Sequence, residues 1–365
     1  MRILLDARAA QSTADGITRF SLNLASSLKE LRSGWEFSAL VHPGGAFHFE
    51  PLGITLHTSR VPRFMPGEQR KLGPFIRGLN PDFYVNFSMA GPVPEGVRTI
   101  VTVHDLMVLS VPGYFRGGVL RNALSRLRFR RILLKSTSCA RAIAVPSEAT
   151  RRDVLRRFPD AMGRVFVTGE GQSLFEPGEG RSSGRENGPF LVVGNARAYK
   201  NLPRLLTAYG RIWAANRSVP DLVMAVRKDR AFRDFSTHLS TNPAREKIRV
   251  VSGVTDGELK DLYLSCRALL MPSVYEGFGL PALEAMASGA PVMASRSTAL
   301  EEVAGDTGVL VNPYSVIDIA RGIALLAAAS PDDLKRMGDA GMERARRFTW
   351  REAALRFIRA MEEGA

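Results

Sequence analysis

At 365 residues the chain is too long for one ordinary domain and long enough for two, each with its own core. Its 45% hydrophobic and 24% charged residues describe a folded globular protein, and no apolar run approaches the roughly 18 uninterrupted residues of a transmembrane helix. Net charge is +14, of which residues 1–170 carry +11; residues 116–164 alone hold 13 Arg or Lys against 3 acidic side chains. Such a surface attracts phosphate-rich partners, whether anionic lipid headgroups, nucleic acid or a pyrophosphate-linked substrate, although a solvated arginine-rich face needs no partner at all. No zinc-finger spacing or RNP-type aromatic motif accompanies the charge, so no specific nucleic acid is expected. Asp6 and Arg8 interrupt the apolar start Met1–Leu5 before a signal-peptide core develops, so a cytoplasmic location is expected. Cys139 and Cys266 have no metal-ligand spacing and are expected to be reduced core residues.

In chain order, Arg2–Asp6 reads as a buried strand and Ile17–Leu31 as a helix with Phe20, Leu24, Leu28 and Leu31 on one face. Phe37–His42, Phe83–Asn86 and the β-branched run Arg98–His104 read as further strands, the last suited to burial on both faces. A long basic helix is predicted over Gly118–Lys135, then a strand at Ala142–Val145 and a helix to Arg157 with Ser147 as N-cap. Residues 171–188 are rich in Gly, Ser, Glu and Arg and suggest a linker. The alternation then restarts, with strands at Phe190–Gly194, Leu222–Val226, Ile248–Val251, Ala268–Met271, Pro291–Ala294 and Gly308–Val311. Helices are predicted at Asn201–Asn216, Glu258–Ser265, Gly279–Ser288, Ser315–Ala328, Pro331–Phe348 and Arg351–Glu362. Strands separated by helices imply parallel sheets covered on both faces. The expected division is an N-terminal Rossmann-like domain over 1–170, a linker over 171–188, and a second Rossmann-like domain over 189–346. A C-terminal helix over 347–365 is expected to pack back toward the N-terminal domain. By the switch-point rule, ligands are expected in a cleft between the two domains.

The most informative stretch runs from Pro272 to Val292. A strand ends at Met271, Glu276 meets the loop Gly277-Phe278-Gly279, and a helix opens at Leu280 and carries Glu284. Backbone N–H groups at a helix start favour phosphate. Two carboxylates eight positions apart across such a loop suit a ligand with hydroxyl-bearing sugars at both ends and phosphates between. The plainer possibility is a loop acid and a solvated helix acid.

This segment resembles the E-x7-E signature of the GT-B retaining glycosyltransferase family GT4, which includes bacterial mannosyltransferases and sucrose synthases. Ser252–Leu259 and Glu301–Asp306 extend the likeness, which is strong over about 190–330 and weaker in the N-terminal half. The resemblance implies a GT-B fold: α/β, with two Rossmann-like doubly wound domains facing a central cleft, 1–170 binding the acceptor and 189–346 the nucleotide-sugar donor. It implies that Glu276 holds the donor sugar and Glu284 the donor ribose, with Gly277, Phe278, Gly279 and Leu280 near the sugar and phosphates and Val254 beside the base. Gly194–Leu202 matches the family's second donor motif, in which Lys200 neutralises the diphosphate. Relatives often carry a further arginine where Asn195 or Tyr199 stands here, and Arg197 is the nearest cation to take its place. In the first half, Asp15–Arg19 matches a glycine-containing loop, with Gly16 near diphosphate and acceptor. His104-Asp105, with Pro112 downstream, matches the pair whose histidine touches the donor sugar. A purely structural histidine at a strand end would also fit that position.

The expected activity is transfer of a hexose, mannose-like by the resemblance, from a GDP- or UDP-linked donor to a hydroxyl, with retention. No cofactor or metal is expected, since no DxD-like site is present. The basic region 116–164 suggests a lipid-linked or glycan-precursor acceptor and peripheral attachment to the inner face of an anionic membrane. A soluble acceptor, as in sucrose- or glycogen-type synthesis, is the runner-up. The rival class is a non-transferase on the same fold: a nucleotide-sugar epimerase, a phosphorylase or a binding-only protein.

Overall fold

The computed structural model describes all residues except 11–15, 66, 112–113, 115–117, 177, 182, 297–298 and 364–365. Asp15 and Pro112, both part of the motifs above, and Arg116 at the start of the basic region therefore lie outside the described residues. The chain forms two compact units, Met1–Gly171 with Thr349–Ala365, and Gln172–Phe348.

The first unit begins with β1 (Arg2–Asp6), four of whose five residues are buried, and α1 (Gly16–Leu31), which buries Phe20, Leu24 and Leu28 on one face. Then come β2 (Glu36–Val41), β3 (Thr55–Thr58), α2 (Glu68–Gly78), β4 (Phe83–Asn86) and β5 (Arg98–Thr102). The chain continues through α3 (Met107–Ser110), α4 (Val119–Cys139), β6 (Ala142–Val145), α5 (Glu148–Arg157) and β7 (Val165–Val167). All seven strands are parallel, in the order β3-β2-β1-β4-β5-β6-β7. Ser147 caps α5 by accepting from the Thr150 amide at 3.0 Å, the arrangement its position predicts.

Two elements have little local signature. Helix α2 carries Pro74 and four charged residues, yet Leu72 and Ile76 turn inward and tertiary burial holds it. β3 is an edge strand whose residues are at best half-buried, so no apolar alternation marks it. The strand predicted to reach His104 stops at Thr102. Cys266 is buried and its thiol is pushed up to about 12 by that burial, but Cys139 is exposed on the last turn of α4, contrary to the core placement expected from its apolar neighbours.

The second unit contains β8 (Phe190–Gly194), α6 (Leu202–Ala215), β9 (Leu222–Val226), α7 (Arg230–Ser240), β10 (Ile248–Val251), α8 (Asp256–Ser265) and β11 (Ala268–Met271). It closes with α9 (Leu280–Ala287), β12 (Val292–Ser295), α10 (Ala299–Ala304), β13 (Val309–Val311), α11 (Val316–Ala328) and α12 (Pro331–Ala345). The six strands are parallel, ordered β10-β9-β8-β11-β12-β13. Polar α7 is set by its cap, where Asp229 accepts from the Ala231 and Phe232 amides. The last helix, α13 (Trp350–Glu363), belongs to the first unit and packs on α1, β6 and β7. In both sheets the first strand is central and the order reverses beside it, between β1 and β4 and between β8 and β11. Those are the switch points at which doubly wound sheets bind ligands.

Residues 172–188 carry no helix or strand among those described, yet they are anchored to the second unit. Phe175 is buried, and the guanidinium of Arg185, 1% exposed, donates to the carbonyls of Arg181, Tyr263, Cys266 and Ser288. Burial holds its pKa below the usual arginine range, and the four carbonyls satisfy its donors. Replacing Arg185 by Ala strands those buried carbonyls. A loss on the order of 3 kcal/mol is expected in denaturant unfolding, and unchanged stability would show that water replaces the guanidinium.

Candidate active site

In the second unit the switch point is built from the loops after β8 and β11. Gly194 closes β8 with φ +140°, and a Cβ there would sit 3.1 Å from Cε of Lys200, so glycine lets the lysine stem lie against the strand end. Asn195 shapes the loop: its Oδ1 accepts from the Arg197 amide at 3.0 Å, and its Nδ2 donates to Tyr199 Oη at 2.8 Å. Arg197 points outward and is exposed. Asn201 adopts the left-handed region, φ +60°, and its Nδ2 donates to the carbonyls of Pro272, at 3.0 Å, and Pro313, at 2.7 Å. The Val274 amide donates to the Tyr199 carbonyl at 2.8 Å, so the two loops are stitched together by backbone as well.

That stitching brings Lys200 Nζ to 2.8 Å from Glu276 Oε1, with the side chains 9% and 12% exposed. Burial works against the lysine's charge, but Glu276 and Tyr199 outweigh it, and its pKa is raised. Tyr199 has its own pKa raised by burial first and by Glu276 next. The outcome is a buried ammonium at the β8–β11 switch point, its charged form favoured by the carboxylate it faces.

From Glu276 the chain passes through Gly277 and buried Phe278, which meets Phe348 edge-on at 5.8 Å. Gly279 has φ +125°, and a Cβ there would come within 2.5 Å of Leu300 Cδ2, so only glycine permits this entry into α9. At the start of α9, Pro281 has no N–H and the amides of Ala282 and Leu283 donate to the Gly279 carbonyl at 2.9 and 3.1 Å, which leaves the Leu280 N–H at the positive dipole end of the helix. Glu284 lies on the second turn, 6% exposed, and accepts from Tyr263 Oη of α8 at 2.8 Å. Half-buried Val254 packs against the cluster that contains Tyr263 and Leu283.

In the first unit, Gly16 is the exposed first residue of α1. His104 follows β5, and its Nε2 lies 2.7 Å from the Phe87 carbonyl oxygen. A carbonyl only accepts, so Nε2 carries the hydrogen and Nδ1 faces Glu170 Oε1 at 3.8 Å. Phe20 stands edge-on to the ring at 4.6 Å. Burial opposes the imidazolium, but Glu170, the Phe87 carbonyl and Asp105 outweigh it, and the pKa is raised. Asp105 itself accepts from the Met107 amide at 2.7 Å and so shapes the start of α3. Nearby, at the end of β1, Arg8 is held by Asp6 and Glu68 at 2.7 and 2.8 Å, and Tyr84 donates to Asp6.

The structure thus brings Lys200 and Glu276 together, with Asn195 as loop builder, seats Glu284 beside Tyr263, and packs Val254 against the apolar cluster to which Tyr263 belongs. Glu170 and Tyr263 escaped the sequence reading. Glu170 has no motif around it, and its only signal is an acid just past a short apolar strand, much as Asp6 stands at the end of β1. Among the described residues no group of three or more His, Cys, Asp or Glu is placed to hold a metal ion.

The His104–Glu170 pair has a readable pH signature. A raised histidine pKa contributes stability that is complete below the unfolded value of about 6.5 and is lost as pH rises through the folded value. Glu170→Gln removes the leading raising cause and leaves burial, so NMR titration should find the His104 pKa lowered. The stability gap between wild type and variant should be widest at acidic pH and close as pH rises. An unmoved titration would contradict the pairing.

Residues 182–344 match the family described as glycosyl transferases group 1. The chain is 29% identical over 279 residues to the O-antigen chain mannosyltransferase B of Escherichia coli, covering 72% of this chain and 70% of that one. It is 27% identical over 255 residues to the GDP-mannose:cellobiosyl-diphosphopolyprenol alpha-mannosyltransferase of Komagataeibacter xylinus, covering 69% and 63%. Among solved structures, sucrose-phosphate synthase from Thermosynechococcus elongatus superposes with a TM-score of 0.74 over 99% of this chain and 98% of that one, at 20% identity. The two parallel sheets, the switch-point glutamate and lysine, and these likenesses agree: the chain has the GT-B fold, and over residues 182–344 it matches the glycosyl transferases group 1 family, GT4.

Proposed function

We propose that the protein transfers mannose, or a mannose-like hexose, from a GDP- or UDP-linked donor to a hydroxyl of a lipid-linked glycan acceptor, with retention at the anomeric carbon. The observation that carries this reading is the Lys200–Glu276 pair at the β8–β11 switch point. A diphosphate fits beside a buried ammonium and the Leu280 amide at a helix start, and a sugar hydroxyl fits a carboxylate. The names of both relatives specify mannose transfer, and one names a diphosphopolyprenol acceptor. The match of residues 182–344 to the glycosyl transferases group 1 family supports transfer over the epimerase, phosphorylase and binding-only readings.

In this mechanism the bond from the anomeric carbon to the diphosphate breaks as the acceptor hydroxyl adds on the same face. The departing phosphate takes the hydroxyl proton. Charge gathers on the leaving diphosphate, and Lys200 with the amides of Gly279 and Leu280 stabilises it without a metal. Glu276 orients the sugar hydroxyls and forms no covalent bond. Glu284, positioned by Tyr263, accepts from the ribose, and Val254 borders the base. Arg197 adds positive charge from the loop exterior. His104 is assigned to the sugar, and Gly16 with Asp105 to the acceptor side, on the family resemblance. The basic region 116–164 brings the enzyme to an anionic membrane where a lipid-linked acceptor resides.

A donor screen with GDP-, UDP-, ADP- and dTDP-sugars, with and without a polyprenyl-diphosphate glycan, tests the proposal. GDP-mannose or a UDP-hexose should be consumed fastest when the lipid-linked acceptor is present. Glu276→Gln should lower kcat by about 100-fold while circular dichroism stays unchanged. Near-normal transfer by that variant removes Glu276 from the site, and equal transfer to a soluble sugar phosphate removes the lipid-linked acceptor.

A further inference from the structure

The charge of residues 116–164 accounts for attraction to an anionic surface but not for what α4 exposes. Leu120, Leu124, Leu127, Arg131 and Leu134 follow one another at spacings of four, three, four and three, which places them on one stripe of the helix. The stripe faces outward: Leu120 is 74% exposed, Leu124 60%, Leu127 43% and Leu134 45%, and Val119 at the helix start is 90% exposed. The opposite face, with Phe129, Leu133, Ser136 and Thr137, is the one that packs into the unit. The inner attachment is completed by Arg126, which donates to the Val111 carbonyl, and Arg128, which donates to the Phe64 carbonyl at 3.1 Å. An aliphatic ridge of this size facing water is not a by-product of packing.

Around the ridge stand Arg121, Arg130, Arg131 and Lys135, all exposed and, among the described residues, without an ion-pair partner. Helix α4 carries six basic residues and no acidic one. An open groove of about 430 Å³, lined by Met65, Leu124, Leu127, Arg128, Arg131 and Ile132, continues the apolar surface with two guanidinium groups at its edge. Pairing with α4 of a second copy would set rows of cations against one another with no acid on either side. A nucleic acid would meet leucines where it needs stacking or polar groups. Leucines in the middle and arginines at the margin fit a surface that is apolar inside and anionic at its boundary.

We infer that the outer face of α4 is a membrane-insertion surface, in which Val119, Leu120, Leu124 and Leu127 enter the acyl boundary of an anionic bilayer while Arg121, Arg131 and Lys135 hold the headgroup phosphates. The inference deepens the membrane part of the proposed function and stands apart from the donor chemistry. It changes the kind of attachment expected. A purely electrostatic surface lets go in salt, whereas an inserted ridge keeps part of its binding.

Sedimentation of the full chain with vesicles of phosphatidylcholine plus phosphatidylglycerol, and of phosphatidylcholine alone, tests it. The wild type should bind only the anionic vesicles and keep a measurable fraction bound at high salt. Leu120→Gln with Leu124→Gln retains every arginine yet should lose at least tenfold in vesicle binding. The same variant should hydrolyse a soluble nucleotide-sugar donor as the wild type does, which separates failure of this surface from failure of the transferase reading. Arg121→Gln with Lys135→Gln should lose low-salt binding. Wild-type vesicle binding by the leucine variant, or equal binding to both vesicle types, would overturn the inference. So would a wild-type dimer on gel filtration that the leucine substitutions dissolve, because the ridge would then be covered by a second copy.

Discussion

The contact between Lys200 and Glu276 is the constraint on which the switch point of the second unit depends. A lysine at that depth needs a carboxylate, and a carboxylate needs the lysine, so each loop fixes the position of the other. The surrounding features serve that meeting. Gly194 makes room for the lysine stem, Asn201 clamps the loop to the carbonyls after β11 and β13, and Gly279 turns the chain from Glu276 into α9 without striking Leu300. The pair lies where the strand order reverses, so the fold itself supplies a crevice there and the sequence only has to furnish it.

The N-terminal unit solves a similar problem with different residues. Its switch point is held by the buried Asp6–Arg8–Glu68–Tyr84 network, a set of charges and a hydroxyl that satisfy one another beneath the strand ends. His104 is fixed by one carbonyl and one carboxylate, which sets its tautomer and favours its charged form. In both units a basic side chain is buried past a strand end, and an acid from another loop raises its pKa.

The range of each interaction decided whether the sequence revealed it. Both parallel sheets were legible, because apolar runs such as Leu222–Val226 and Ala142–Val145 alternate with amphipathic segments. Glu276, Glu284 and Lys200 stood out because their neighbours form extended local patterns. Tyr263 and Glu170 did not, because the one reads as an ordinary helix aromatic and the other as a loop acid until the fold sets them beside Glu284 and His104. Helix α2 hid behind Pro74 and its charges, and Cys139 behind apolar neighbours that turn away from it. On α4 the charge was visible, but the side its leucines take was not. Only the structure reveals that the helix is apolar on two sides and that one of them faces outward.

If the β8–β11 crevice holds a nucleoside diphosphate through Lys200, removing the ammonium must weaken that ligand. Calorimetric titration of GDP and UDP into the wild type and Lys200→Ala tests this most directly. At least one of the two nucleotides should bind the wild type, and the variant should bind it at least tenfold more weakly while its fold, followed by circular dichroism, is retained. Equal affinity in the two proteins would place the diphosphate elsewhere and contradict the assignment of this crevice as the donor site.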